Sequence, residues 1–263
     1  MSQDADSGTE LEGTHAAFGG ALAMSNPAVL GDARSRRQGR TRIVVVGEFN
    51  SGKTTLVNAL VGAPVLTPSV ITPTVHPTVV AFASKPSLSA ETAGRRRTPV
   101  AGDRLDDGAP DNVRRLHVGV PLECLKQFSV VDTPGLGFAD GESDRRSLQA
   151  CRYADTVIWC TPAMQAWKAS EERAWLALSE RVRARGFLAV TFADEIASPS
   201  DVNRLMERLR AEAGPYFRKV VMADECAPLV LMAKGHPGAC HRDPPVRKRR
   251  SEMIDGSRAL GPG

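Results

Sequence analysis

The chain has 263 residues, 42% of them hydrophobic and 24% charged, which suffices for one α/β domain with a real core. A formal net charge of +4 is too small for a dedicated nucleic-acid binder, so we expect no specific nucleic-acid partner. The sequence shows no membrane-span-length apolar run, no secretory signal and only scattered cysteines, which predicts a cytoplasmic protein with reduced thiols.

Both ends of the chain are polar. Residues 1–41 are rich in Ser, Gly, Asp and Ala, and we expect a disordered or weakly ordered tail. Its basic run at 34–40 is typical of a solvated tail, with contact to phosphate or anionic lipid as the alternative. Residues 236–263 predict a flexible basic tail, which leaves residues 42–235 for the folded domain.

The first strong motif joins a buried strand to a helix. β-branched residues at 43–46 run into the spacing G-x-x-x-x-G-K-T, and a helical pattern follows that stops at Gly62. Glycines let backbone N–H groups wrap a triphosphate, the lysine adds a charge, and the threonine hydroxyl suits Mg²⁺. The alternative is an ordinary glycine-rich turn. The residues expected to contact nucleotide are Gly47, Asn50, Ser51, Gly52, Lys53, Thr54 and Thr55.

A segment rich in proline and threonine follows, at residues 64–78. Proline excludes regular structure there, so we expect a loop over the nucleotide, with a surface loop stiffened by proline as the alternative. Residues 78–83 predict a strand. The polar residues 84–115 predict an inserted long loop, and Leu116 to Val120 a short strand.

The second strong motif is the apolar strand at 128–131 that ends in Asp132-Thr133-Pro134-Gly135. An aspartate at a strand end beside the phosphate loop can hold Mg²⁺, and a glycine can bring its N–H against the γ-phosphate. An ordinary turn explains either residue alone. Downstream of a phosphate loop, the two together favour binding of a nucleoside triphosphate.

The remaining pattern alternates helices and strands. We expect helices over 145–153, 170–185 and from Pro199 onwards, and strands over 156–161, 187–193 and 228–232. The tryptophans are expected in core or half-buried packing, with ligand contact as the alternative. The predicted fold is therefore α/β: the three-layer P-loop nucleoside-triphosphatase fold, a mostly parallel sheet with helices on both faces.

From about Arg42 to Lys234 the chain resembles the GTPase domain of the bacterial dynamin-like family. The similarity lies in G-E-F-N-S-G-K-T-T-L-V-N-A-L at 47–60, T-P-S-V-I-T-P-T-V-H-P-T at 67–78 and L-K-Q-F-S-V-V-D-T-P-G-L at 125–136. It implies that Thr72, with Thr74 as the fallback, is a switch threonine that joins Thr54 and Asp132 at Mg²⁺. It also implies that Asp194 and Lys234 contact guanine, and that Asn50 binds a monovalent cation, with K⁺ as the candidate.

Two features depart from the family pattern. Where the family has N/T-K-x-D, this chain has Thr191-Phe192-Ala193-Asp194, so Phe192 replaces the lysine. The chain also ends soon after its last predicted strand, so we expect the family's helical stalk to be absent.

The expected activity is slow, Mg²⁺-dependent hydrolysis of GTP, with Lys53, Thr72 and Asn50 as catalytic residues. The alternatives are a nucleotide-gated interaction module with negligible turnover and a P-loop ATPase. The expected partners are GTP and GDP, and either a second copy docked across the nucleotide face or a stalk-bearing relative. Peripheral membrane contact stays open.

Overall fold

The computed structural model describes residues 40–67, 76–92, 94–100, 113–137 and 141–226. The strands of this part are β1 (Thr41–Gly47), β2 (Thr78–Phe82), β3 (Ser87–Thr92), β4 (Arg97–Pro99), β5 (Val113–Val120), β6 (Phe128–Asp132), β7 (Thr156–Pro162), β8 (Gly186–Thr191) and β9 (Lys219–Met222). Its α-helices are α1 (Lys53–Val61), α2 (Gly141–Cys151), α3 (Ala169–Leu176), α4 (Glu180–Arg183) and α5 (Pro199–Glu212).

The strands form one sheet in the order β4-β3-β5-β2-β6-β1-β7-β8-β9. Strands β6, β1, β7, β8 and β9 are parallel neighbours, so their carboxyl ends meet at one edge. Strand β2 runs antiparallel to β6, with Thr78 opposite Asp132, and therefore begins at this same edge. The edge collects the ends of both sequence motifs.

Strand β1 shows why helices cover both faces. Its side chains alternate, so Ile43 and Val45 pack towards α1 while Val44 and Val46 pack towards the helices of the other face. These four side chains are at most 1% exposed, as expected for a central strand of a parallel sheet. The predicted α/β fold, with a mostly parallel sheet and helices on both faces, is confirmed.

The tryptophans belong to the core, as predicted. Trp159 and Trp175 are fully buried and meet edge to face, with ring centroids 5.6 Å apart. Trp175 also stacks on Phe217 at 4.3 Å, and the half-buried Trp167 meets Phe217 edge to face. The aromatic cluster fixes α3 on the sheet.

The prediction of one long loop over residues 84–115 is wrong in part. Strands β3 and β4 form a hairpin within it, and β5 begins at Val113 rather than at Leu116. Apolar residues of β3, of β5 and of the position after β4 close a small core of their own: Leu88, Ala90, Val100, Val113 and Leu116. Short strands with mostly polar residues give a weak sequence signal, and the pairing of β3 with β5 is non-local.

Other elements also differ from the prediction. Helix α2 begins at Gly141 rather than at 145, and the helix predicted over 170–185 is split into α3 and α4 because Ser179 has an extended backbone. Strand β9 was missed, while the strand predicted at 228–232 lies outside the described residues. Within the described ranges, no helix has the length and apolar character needed to cross a membrane.

Candidate nucleotide site

The phosphate loop links β1 to α1 at the carboxyl edge of the sheet. A Cβ at Gly47 would lie 2.3 Å from the Cys160 carbonyl oxygen, so only glycine fits where the loop leaves the sheet. Gly52 precedes α1 in the left-handed conformation, with φ of 78°. The N-terminus of α1 is thereby aimed at the edge, where its N–H groups favour an anion.

Lys53 lies inside the loop rather than on its surface. Its side chain is 7% exposed, and Nζ donates to the Glu48 carbonyl oxygen at 2.6 Å and lies 3.5 Å from Ser51 Oγ. Burial lowers the pKa of Lys53, while the negative charges of Asp132 and Glu48 oppose that shift. The lysine is therefore held at the loop with carboxylates near it.

Asp132 ends β6 directly beside the loop. Its Oδ2 accepts a hydrogen bond of 2.8 Å from the Thr54 hydroxyl, and the carboxylate is 1% exposed. Burial raises the pKa of Asp132 to about 6, against the lowering effects of the Thr54 hydrogen bond and the Lys53 charge.

The pair formed by Thr54 and Asp132 fits a magnesium ion. Among the described residues, Asp132 Oδ1 is a buried oxygen without a hydrogen-bond partner, and such an atom is costly unless something binds it. Hydroxyl and carboxylate oxygens are the ligands that Mg²⁺ takes, directly or through water. These residues could therefore hold the ion that a nucleoside triphosphate brings.

The turn around Gly135 is attached to the phosphate loop by its backbone. Phe49 N donates to Leu136 O and Leu136 N donates to Gly47 O, both at 3.1 Å. A Cβ at Gly135 would lie 2.7 Å from Phe49 Cα, so a side chain there would displace the loop. The Ser147 hydroxyl of α2 donates to Pro134 O at 3.0 Å and connects this turn to the helix.

The opposite side of the phosphate loop faces the end of β8. The Thr191 hydroxyl shares its proton between Ser51 O at 3.0 Å and Thr161 O at 3.2 Å. The ring of Phe192 approaches Gly52 so closely that a Cβ there would lie 3.2 Å from it. Asp194 is exposed in the turn that follows, Ala193–Glu195.

The other predicted site residues lie as follows. Ser51 is buried, Thr55 is exposed at the start of α1, and Asn50 is exposed with φ of 57°, a conformation that asparagine tolerates. The structure thus brings Gly47, Asn50, Ser51, Gly52, Lys53, Thr54, Thr55, Asp132 and Gly135 to one edge. Thr72, Thr74 and Lys234 lie outside the described residues, so their roles stay predictions.

Sequence reasoning missed the residues that hold the loop from the side. Glu48 of the loop accepts a hydrogen bond of 2.6 Å from Ser170 and pairs with Lys168, and Thr191 binds Ser51 O. The acid inside the motif is the only local signal of the first contact, because Ser170 lies 122 residues further along the chain.

This fold and loop define the chain as a phosphate-loop nucleotide-binding domain. The Dynamin family model matches residues 43–194, more than half of the chain. The chain therefore belongs to the dynamin family, and its described part is a dynamin-like GTPase domain, as the resemblance implied.

Individual relatives agree with this assignment. Dynamin-like protein 2 of Campylobacter jejuni is 24% identical over 184 residues, which cover 68% of this chain and 30% of the relative. The probable transmembrane GTPase FZO-like, chloroplastic, of Arabidopsis thaliana is 30% identical over 140 residues, which cover 53% of this chain and 14% of the relative.

A solved structure from a study of an oligomerised bacterial dynamin pair shares the fold. It superposes with a TM-score of 0.53 at 20% identity, over 72% of this chain and 31% of that chain. The chain thus spans less than a third of the length of each of these three proteins.

Proposed function

We propose that this chain binds GTP with Mg²⁺ and hydrolyses it slowly to GDP and phosphate. The observation that carries the proposal is the contact of Thr54 with Asp132, because it joins the helix after the phosphate loop to the end of the neighbouring strand. Membership of the dynamin family supports GTP as the nucleotide.

The chemistry is attack of water on the γ-phosphate. Lys53 and the N–H groups at the start of α1 stabilise the negative charge that develops on the phosphate oxygens. Thr54 and Asp132 hold the magnesium ion, which neutralises charge on the β- and γ-phosphates when it is bound. Thr72 is the third proposed ligand of this ion.

Slow turnover follows from what the second motif lacks. No glutamine closely follows Asp132-Thr133-Pro134-Gly135, so this motif supplies no such side chain to orient the attacking water. Asn50 is exposed at the loop and supports a K⁺ site, whose charge would replace that of an arginine. A second copy docked across the nucleotide face, or a stalk-bearing dynamin-like partner, could complete the site.

Base selection is assigned to Asp194 and Lys234. A carboxylate accepts two hydrogen bonds from guanine that adenine cannot offer. Phe192 stands where a lysine is expected, and this departure favours an ATPase as the second candidate function. Competition between GTP and ATP decides between the two.

A nucleotide-gated interaction module is the other candidate. Hydrogen bonds connect the phosphate loop to α2. Backbone bonds join the loop to the Gly135 turn, and the Ser147 hydroxyl of α2 donates to Pro134 O of that turn. A module of this kind would change its surface with the nucleotide and turn over negligibly.

The test is a nucleotide panel on the purified chain. GTP, GDP and ATP are titrated with Mg²⁺, and phosphate release is followed with and without K⁺. We expect GTP to bind, to be hydrolysed slowly, and to lose affinity in the Lys53→Ala variant. Wild-type protein that binds no nucleotide in the presence of Mg²⁺ would contradict the proposal, and binding without turnover would favour the interaction module.

A further inference from the structure

Glu48 places a carboxylate inside a loop that serves to bind phosphates. A negative charge there repels the ligand unless a cation compensates it. The structure supplies that cation, because Lys168, just before α3, forms an ion pair with Glu48 Oε2. The Ser170 hydroxyl donates to Glu48 Oε1 at 2.6 Å, so both carboxylate oxygens are bound.

Lys168 is in turn held by a buried carboxylate. Its backbone N donates to Glu171 Oε2 at 2.9 Å, and Glu171 is fully buried. Trp159 Nε1 and the Thr161 hydroxyl also donate to Glu171, each at 3.0 Å. These three donors, two of them on β7, hold the carboxylate in place and thereby fix the backbone at Lys168.

Glu48 also contacts Lys53 through its backbone. Lys53 Nζ donates to the Glu48 carbonyl oxygen at 2.6 Å, so the Glu48 carboxylate belongs to the residue that already holds this ammonium group. If Lys168 were neutral, the Glu48 carboxylate would compete with phosphate for Lys53. The side chains of Lys168 and Glu48 are 39% and 20% exposed, so water only partly screens this effect.

We propose that Lys168 is a positioning residue of the nucleotide site, which compensates Glu48 and keeps the phosphate loop receptive to a triphosphate. This inference rests on the proposed binding of GTP. It has a signature that a merely structural contact lacks: the loss on removing Lys168 grows with the number of phosphates on the nucleotide. It also depends on the charge of Glu48.

The experiment compares the affinities of a non-hydrolysable GTP analogue and GDP, each with Mg²⁺, across charge variants. We expect Lys168→Gln to weaken the analogue about tenfold and GDP about threefold. The added change Glu48→Gln restores most of both losses, since no charge then needs compensation. Lys168→Arg keeps the charge and binds as the wild type does.

The matched control is Lys126→Gln, which removes a lysine from the ion pair with Glu123, at 2.7 Å, before β6. It should leave both affinities unchanged. Equal losses for the two nucleotides, or no restoration by Glu48→Gln, would overturn the inference. Lys168→Gln could lower the melting temperature so far that its binding cannot be measured. In that case the Glu48→Gln variant is compared with the double variant that carries Glu48→Gln and Lys168→Gln. A lower nucleotide affinity of the double variant would contradict the compensation. Wild-type protein without affinity for either nucleotide would instead refute the proposed function.

Discussion

The Thr54 hydroxyl donates to Asp132 Oδ2 at 2.8 Å across 78 residues of sequence. Strands β1 and β6 are parallel neighbours, with Val45 opposite Asp132, so the fold rather than the local sequence creates this contact. A hydroxyl and a carboxylate are brought together beside a buried lysine. The magnesium dependence of nucleotide binding should therefore depend on this pair.

Replacing Thr54 by alanine removes one of the two oxygens. We expect Thr54→Ala to weaken Mg²⁺-dependent GTP binding by about 10- to 100-fold, while Thr54→Ser stays near the wild type because it keeps the hydroxyl. Titrations in Mg²⁺ and in EDTA measure the difference, and the affinities in EDTA should agree. A Thr54→Ala protein with undiminished Mg²⁺ dependence would refute the assignment.

The buried carboxylate of Asp132 should cost stability in the nucleotide-free protein. Burial raises its pKa from 3.8 to about 6, so the folded state binds the proton more tightly than the unfolded state does. The contribution of Asp132 to stability is therefore full below the ordinary pKa and is lost as pH rises through about 6.

Urea unfolding at several pH values, without Mg²⁺ and nucleotide, measures this cost. The unfolding free energy of Asp132→Asn minus that of the wild type should increase between pH 4 and pH 7, by about 3 kcal/mol at most. A difference between variant and wild type that stays constant with pH would show that the carboxylate is not destabilised.

The contact between the Gly135 turn and the phosphate loop leaves no room for a methyl group. A Cβ there would lie 2.7 Å from backbone, which cannot rotate away. We expect Gly135→Ala to lower the unfolding free energy by about 1–3 kcal/mol and to weaken GTP binding. Gly214→Ala is the control, because a Cβ there meets nothing within 4 Å. Thermal melts and titrations with GTP would compare the two variants.

Phe192 should act on the base and not on the phosphates. If its ring stacks under the base, Phe192→Ala weakens GTP and GDP by the same factor, about fivefold, and Phe192→Trp retains binding. This result would differ from that of Lys168→Gln, whose effect grows with the phosphate number. Unequal losses for GTP and GDP in Phe192→Ala would argue against stacking.

Glu91 of β3 connects the hairpin of β3 and β4 to β5. Its carboxylate forms a hydrogen bond of 2.8 Å with His117 and ion pairs with Arg97 at 3.7 Å and Arg115 at 3.9 Å. The His117 hydrogen bond and the two arginines hold the pKa of Glu91 below its ordinary value, although burial opposes them. This stabilisation is fully present at pH values above the ordinary pKa of glutamate, and it is lost as the pH falls through the lower pKa that Glu91 has in the folded state.

We expect Glu91→Gln to lower the unfolding free energy at pH 7 by about 1–2 kcal/mol. The effect should shrink towards pH 3. Urea unfolding provides the measurement, and Glu123→Gln is the control because Glu123 is 82% exposed. Equal effects of the two substitutions would mean that the cluster around Glu91 contributes nothing special.

The sequence predicted the parts of the site that are local in the chain. The run from Ile43 to Thr54 and the run from Phe128 to Gly135 each carry strand, turn and chemistry within a few residues. Their meeting also followed, because parallel strands with loops at their carboxyl ends share one edge. The family resemblance then gave the expectation that the nucleotide is GTP.

The contacts that hold the phosphate loop from its side could not be predicted. Nothing in the sequence around Glu48 indicates that Lys168 and Ser170 will contact it, because both residues lie far along the chain, in the segment after β7. The β3 and β4 hairpin was missed because its alternation is short and half polar. Strand β9, with four residues, is too brief for a period to emerge.

The hairpin of β3 and β4, with β5, has its own small apolar cluster, which is separate from the two clusters around β1. Units of this kind open independently of the rest of a protein. Amide protons of β3 and β4 should therefore exchange with solvent deuterium well before those of β1 and β7. The outer part of the sheet can thus fluctuate, or accumulate substitutions, without disturbing the geometry at the phosphate loop.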